Sequence, residues 1–191
     1  MKFYNYINEQ KDKIAKMAEP FMNEFGDKYE NDAFIWRGHR GVYKNFTAKQ
    51  RRKDRKPRLV NQELHEYLSK ISVDLFGWDL RKEGIFTGSK DLAQDYGNQY
   101  IFIPLENYRY VWTKDYIAIY HWYDEFSNPS SKTKTEDIKR RLYELYKDNY
   151  KTTGLSKFNI KSYNFEAIFD CDKYLLVEPN FWYSTMKERM L

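Results

Sequence analysis

Cysteine and histidine are scarce in this chain of 191 residues, which contains one Cys and three His. A single cysteine, Cys171, excludes an intramolecular disulfide framework, and a reducing compartment is then the simplest setting. The histidines, His39, His65 and His121, are dispersed and lack the spacing of metal ligands. The sequence therefore predicts no zinc site and no other metal.

Long apolar runs are also missing. No run approaches the roughly 20 residues that a membrane-spanning helix needs, and the first stretch, MKFYNYINEQ, has no apolar segment of signal-peptide length. We therefore expect a cytoplasmic protein without a membrane partner. Its oligomeric state is left open.

Aromatic residues are abundant instead, at 19% of the chain, and hydrophobic residues make up 41%. This composition is typical of a globular protein and provides enough apolar surface for a sizeable core. The length predicts a single domain over 1–191, with an N-terminal helical segment at 1–30 and a core at 31–182.

Positive charge is concentrated in one segment. The stretch KQRRKDRKPR (Lys49–Arg58) has seven basic residues and one acidic residue, whereas the whole chain has a net charge of +5. This basic loop is either a solvated surface or a contact for phosphates, nucleic acid or an acidic protein. Its candidate contact residues are Arg51, Arg52, Lys53, Arg55, Lys56 and Arg58.

The pattern of apolar residues predicts an α+β fold, with helices dominating early and strands late. A first helix should be kinked or divided by Pro20. Amphipathic helices are expected at 61–77 and 136–150, and another after Thr113 as its N-cap. Two late strands should be joined by a tight turn near Asp170–Asp172.

Three short segments place a polar side chain at or near the end of an apolar strand. They are Trp36-Arg37-Gly38, Thr87-Gly88-Ser89 and Asn164-Phe165-Glu166. Together they provide a guanidinium, two hydroxyls and a carboxylate. Strand ends on a rigid sheet are common locations for functional sites.

In this order the three segments resemble the motifs of the ADP-ribosyltransferase superfamily, in its arginine–serine–glutamate class. The resemblance covers about residues 33–180 and implies a split β core of mixed or antiparallel strands, flanked by helices. The wider pattern, with RKPRL, GIFTGS and YIFIP, also resembles uncharacterised tailed-phage proteins. The implied activity is NAD+-dependent mono-ADP-ribosyl transfer to a host protein or nucleic acid, in the bacterial cytoplasm or from a virion.

The resemblance also implies roles for individual residues. Glu166, Arg37 and Ser89 would be catalytic. NAD+, the substrate, would be contacted by Arg37, Gly38, Thr87, Ser89 and Tyr96. Asn164 and Tyr163 would face the acceptor. Because Asn164 replaces a Glu or Gln that in the family helps select the acceptor side chain, the acceptor stays open.

The chemistry of NAD+ gives these roles a physical basis. Cleavage of the nicotinamide–ribose bond passes through an oxocarbenium-like state, and a carboxylate bonded to the ribose 2-hydroxyl stabilises it. Glu166 would provide this carboxylate, and all four side chains of the motifs would then converge in one crevice. The planar fork of Arg37 is suited to a phosphate.

Simpler interpretations remain for each residue. Ser89 is a suitable N-cap for a helix beginning at Lys90, Arg37 could pair with a surface carboxylate, and Glu166 could be an exposed strand residue. The corresponding alternative functions are a non-catalytic module that binds nucleotides or nucleic acid, or a phage structural protein.

Overall fold

The structure is a computed structural model that describes residues 2–52, 62–114 and 132–190. Its main helices are α1 (Lys2–Glu30), α2 (Gln62–Phe76), α3 (Lys90–Gln94) and α4 (Lys132–Asn149). A 3-10 turn follows at Leu155–Lys157. The C-terminal helical segment consists of Pro179–Phe181, a π-helical turn at Trp182–Met186, and Lys187–Met190.

The strands form one seven-stranded sheet in the order β2-β7-β4-β1-β3-β6-β5, with every neighbouring pair antiparallel. Their bounds are β1 (Trp36–His39), β2 (Phe46–Gln50), β3 (Ile85–Gly88), β4 (Asn98–Leu105), β5 (Arg109–Thr113), β6 (Glu166–Asp170) and β7 (Lys173–Val177). The mixture of helices with an antiparallel sheet confirms the predicted combination of α and β structure.

The contact between β1 and β3 is the narrowest junction in this sheet. It consists of one residue pair, Trp36 with Gly88, whereas β1 and β4 share four pairs and β3 and β6 share four. We call β2, β7, β4 and β1 the first half-sheet, and β3, β6 and β5 the second half-sheet.

Helices cover both faces of the second half-sheet. On α1, Phe21, Phe25 and Tyr29 recur every four residues and are fully buried, and the Phe21 ring lies 6.4 Å from that of Phe169. Ile168, the preceding residue of β6, belongs to the core formed with α2 and α4. Since neighbouring residues of a strand point to opposite faces, the two cores lie on opposite sides of β6.

Several predicted elements are confirmed and others are wrong. Helix α2 and the β6–β7 hairpin lie where they were predicted. Helix α1 is not divided at Pro20 but continues through it, with the buried residues Ala18 and Phe21 on either side of the proline. Thr113 is not an N-cap but the last residue of β5. Strand β2, whose last two residues begin the basic segment, was missed. The helix predicted after Thr113 falls mostly outside the described residues.

Candidate functional site

The three motifs lie on three adjacent strands, β1, β3 and β6. Trp36 is paired with Gly88, Gly88 with Glu166, and Glu166 with Thr113 of β5. Since β1 and β6 run antiparallel to β3, the start of β1, the end of β3 and the start of β6 meet at one edge. The tertiary structure therefore brings the backbones of the motifs together.

Glu166 is the first residue of β6, and only 6% of its surface is exposed. One of its carboxylate oxygens, Oε1, accepts a hydrogen bond from the hydroxyl of Tyr150. Burial raises the pKa of Glu166 to about 7, while the Tyr150 hydrogen bond and the charge of Arg81 lower it. The interpretation of Glu166 as an exposed strand residue is therefore wrong, and its carboxyl changes charge near neutral pH.

Tyr150 and Arg81 are the neighbours of Glu166 that the sequence analysis missed. Arg81 lies just before β3, with its guanidinium carbon 5.3 Å from the centroid of the Phe86 ring. Tyr143, Tyr146 and Tyr150 recur at helical spacing, which indicates a buried face but does not identify its partner. Nothing in the sequence near Arg81 could have identified it.

The hydroxyls of the central motif form hydrogen bonds within the protein. Thr87 is buried, and its Oγ1 donates to the carbonyl of Ala167 at 2.8 Å. Ser89 is the N-cap of α3, because its Oγ accepts from the N–H of Leu92 at 3.3 Å. Ser89 also donates its own N–H to the carbonyl of Phe165 at 3.1 Å. The capping interpretation of Ser89 is therefore confirmed.

Arg37 is the second residue of β1, near the start of the strand rather than at its end. Its Nη1 donates to the carbonyl of Phe86, and its guanidinium carbon lies 5.8 Å from the centroid of the Tyr174 ring. Burial lowers the pKa of Arg37, although Tyr174 opposes the shift. Its Nε is buried and has no hydrogen-bond partner within the described part of the chain. A buried donor of this kind is a candidate for an anionic ligand.

The pleat of the sheet separates Arg37 from Glu166. Residues directly paired across strands share a face, so Glu166 is on the same face as Trp36 and Gly88, and Arg37 is on the other. Thr87, next to Gly88, also points away from the Glu166 face. The expectation that all four side chains converge in one crevice is therefore wrong, because the register pairs Gly88, not Thr87, with Glu166.

Arg37 belongs to a group of basic side chains on its own face, which we call the cationic cluster: the cations Arg37 and Lys49, together with His39. Burial and the charges of Lys49 and Arg37 lower the pKa of His39, whose Nδ1 accepts from the N–H of Gly41 at 2.9 Å. Lys49 places its Nζ 4.5 Å from the centroid of the Tyr43 ring. The ion pairs among the described residues include none of the three cluster members, so the charges of Arg37 and Lys49 are not neutralised there.

The remaining candidates surround this edge of the sheet. A Cβ on Gly38 would collide with the carbonyl oxygen of Ala93 and lie 2.7 Å from the Cβ of Tyr96. Gly38 is therefore explained by the close approach of α3 to β1. Tyr96 is about half exposed and close enough to influence the charge of Arg37. Asn164 and Tyr163 are exposed just before β6.

The basic contact loop needs a correction at its first residue. The charge of Arg51 is already paired within the protein, because its guanidinium forms ion pairs with Asp170 and Asp172. The pairing of β2 with β7 places Gln50 opposite Lys173, which brings Arg51 beside the β6–β7 turn. Of the other candidate contact residues, the structure describes Arg52, whereas Lys53, Arg55, Lys56 and Arg58 lie outside the described residues.

Two surface grooves formed by the described residues lie away from this edge. The larger, of about 800 Å³, is lined by Trp78, Tyr108, Arg109 and Gly154 among others. The smaller, of about 430 Å³, lies beside the C-terminal part of α1. Neither is lined by Arg37, Thr87, Ser89 or Glu166.

The described residues contain no group of three or more His, Cys, Asp or Glu side chains that could bind a metal ion. None of the helices in residues 2–52, 62–114 and 132–190 combines the length and apolar character needed to cross a bilayer. No protein-family model, curated protein or solved structure matches the chain.

Proposed function

We propose that the protein is an NAD+-dependent mono-ADP-ribosyltransferase that modifies a protein or nucleic acid. The observation that carries the proposal is the alignment of Trp36, Gly88 and Glu166, which places the three motifs on adjacent strands at one edge. The motifs are more than forty residues apart in sequence, so their proximity is a property of the fold. The split β core of the superfamily is part of this proposal, and the narrow β1–β3 junction supports it.

Glu166 would act on the sugar. The bond between ribose C1 and the nicotinamide nitrogen breaks, its electron pair leaves with nicotinamide, and the sugar acquires positive charge. An ionised carboxylate bonded to the ribose 2-hydroxyl stabilises this charge more strongly than it stabilises bound NAD+. The dry surroundings of Glu166 increase this electrostatic effect. A nucleophile of the acceptor then bonds to C1 and loses its proton.

The cationic cluster would bind the pyrophosphate. The unpartnered Nε of Arg37 is a donor for an anionic oxygen, and no acidic side chain among the described residues competes for the cluster. Because the cluster and Glu166 lie on opposite faces, NAD+ would extend across the edge where β3 ends, beside Ser89. The exposed ring of Tyr96 would stack on the nicotinamide.

The test is incubation with labelled NAD+ and a bacterial lysate, followed by measurement of free nicotinamide and of labelled protein and nucleic acid. We expect Glu166→Gln to lower nicotinamide release by about 100-fold or more, the scale of losing one transition-state contact. The matched control is Glu136→Gln, which changes an exposed glutamate of α4. Wild-type protein that releases no nicotinamide, or full activity in Glu166→Gln, would refute the proposal. Nicotinamide release without a labelled acceptor would indicate hydrolysis of NAD+.

The cationic cluster also favours a second candidate, a non-catalytic module for nucleotides or nucleic acid. Unneutralised cations beside Tyr43 and Tyr96 are suited to phosphates and bases. This candidate predicts binding of ADP-ribose or single-stranded DNA that weakens strongly with salt and is unchanged in Glu166→Gln. A ligand that binds only the folded protein stabilises it by about 2.7 kcal/mol at 100 times its Kd, so thermal unfolding can detect either ligand.

A further inference from the structure

We propose that Tyr150 is a positioning residue for Glu166, because its hydroxyl holds one carboxylate oxygen against the start of β6 and stabilises the ionised carboxyl. The inference rests on the proposed role of Glu166 in the cleavage of NAD+. It adds a residue from outside the three motifs, contributed by the end of α4.

Contacts of the backbone and of the ring hold Tyr150 in place. The backbone N–H of Tyr150 donates to the carbonyl of Tyr146 at 3.1 Å, which continues the last turn of α4. The next residue, Lys151, exchanges two backbone hydrogen bonds with Trp112 of β5, at 2.9 and 2.8 Å. The centroid of the Tyr150 ring lies 5.0 Å from that of Tyr146 and 6.1 Å from that of Phe76. A side chain held in this way loses little conformational freedom when it bonds to Glu166.

The groups that face Glu166 come from each element packed against it. The end of α4 contributes Tyr150 and Tyr146, and the segment before β3 contributes Arg81. Strand β5 contributes Thr113, which does not titrate. Two of these groups, the Tyr150 hydroxyl and the Arg81 cation, stabilise the ionised carboxyl. They therefore oppose burial, which favours the protonated form.

This arrangement divides the two oxygens of Glu166 between two tasks. Tyr150 bonds to Oε1, and Oε2 would then accept from the ribose hydroxyl. A protonated carboxyl would lose much of its stabilising effect on a cationic sugar. Tyr150 would therefore increase the fraction of Glu166 that is active at neutral pH without touching the substrate.

The first arm of the test needs no substrate. The Glu166 carboxyl is titrated by carbon-13 NMR in protein with labelled glutamate, and its signal is assigned with Glu166→Gln. In Tyr150→Phe the midpoint should rise by about one pH unit, because the carboxylate loses a charge-assisted hydrogen bond. The matched control is Tyr146→Phe, which removes a hydroxyl from the preceding helical turn and should leave the midpoint unchanged. An unchanged midpoint in Tyr150→Phe, or an equal rise in both variants, overturns the proposal.

The second arm is the pH profile of nicotinamide release. At pH 7, kcat of Tyr150→Phe should fall about fivefold, because a midpoint of about 8 leaves roughly a tenth of the carboxyl ionised. The rate should return towards the wild-type value at pH 9, with KM unchanged throughout. A loss that is the same at every pH would mean a purely structural role and overturns the proposal. If wild-type protein releases no nicotinamide, the proposed function fails, and the titration still decides whether Tyr150 controls the charge of Glu166.

Discussion

At the scale of the residue, Glu166 has an ionisable carboxyl in a buried, apolar environment, where its charged form is destabilised. Its neighbours in β6, Ala167 and Ile168, are buried and apolar, and burial raises its pKa. Arg37 is the corresponding cation, with a buried and unpartnered Nε. Perturbed ionisable groups are enriched at functional sites, which supports the proposed roles of both residues.

The cost of Glu166 predicts a pH-dependent stability. The pKa of the folded state, about 7, lies above the ordinary value of 4.5, so ionisation favours the unfolded state. The contribution of Glu166 to the free energy of unfolding should therefore fall by roughly 3 kcal/mol as the pH rises from 4.5 to above 7. Glu166→Gln has no carboxyl to ionise at this position. Its free energy of unfolding in urea, measured relative to that of wild type, should therefore be higher at pH 8 than at pH 4. The same stability difference at both pH values would contradict this prediction.

Ser89 has a structural task that can be separated from a functional one. Ser89→Ala should destabilise the protein by about 1 kcal/mol, because α3 loses its N-cap. Ser89→Asn restores a capping oxygen and should recover most of that stability. If Ser89 also contacts NAD+, Ser89→Asn will be stable but impaired in nicotinamide release. Wild-type stability in Ser89→Ala would show that the cap contributes nothing.

At the scale of the element, the contact of α3 with β1 positions the candidate site. Helix α3 starts directly after the central motif and packs across Gly38, the residue after Arg37. The short helix thereby joins the end of β3 to β1 beside their single paired contact. Its position depends on the absence of a side chain at Gly38.

Gly38→Ala should therefore destabilise the protein by about 1–3 kcal/mol, the usual cost of overpacking a core. The obstacle is the backbone carbonyl of Ala93, which cannot move without shifting α3. Gly41→Ala is the control, because its added Cβ meets the terminal hydroxyl of Tyr43 at 2.6 Å, and this side chain can rotate away. Urea unfolding should rank Gly38→Ala well below Gly41→Ala. Equal stability of the two variants would show that α3 adjusts freely.

At the scale of the whole molecule, the two half-sheets meet at one residue pair. The first half-sheet is joined by five pairs between β2 and β7 and five between β4 and β7, whereas Trp36 and Gly88 alone join β1 to β3. The hydrogen bond from Arg37 to the carbonyl of Phe86 crosses the same junction. The candidate site therefore lies where the sheet has the fewest backbone contacts.

This junction predicts uneven hydrogen exchange. Amides of β1 and β3 should exchange about tenfold faster than those of β4 and β7, because regions with few contacts open locally. Saturating NAD+ should slow exchange at β1, β2, β3 and the start of β6. Mass spectrometry of peptides from deuterated protein would measure both effects. Uniform protection across the sheet without ligand would contradict the first expectation, and no response to NAD+ would contradict the second.

Local patterns in the sequence were sufficient for the mixture of helices and strands, for α2, for the β6–β7 hairpin and for the cap at Ser89. Each depends on residues within a few positions of one another. Three features depend instead on how the whole chain folds: β1, β3 and β6 are neighbours, Arg51 pairs with Asp170, and Tyr150 reaches Glu166. The tertiary structure also places Arg37 and Glu166 on opposite faces, because a shift of one residue in strand register reverses every side chain. Register depends on contacts between distant segments, and no local pattern contains it.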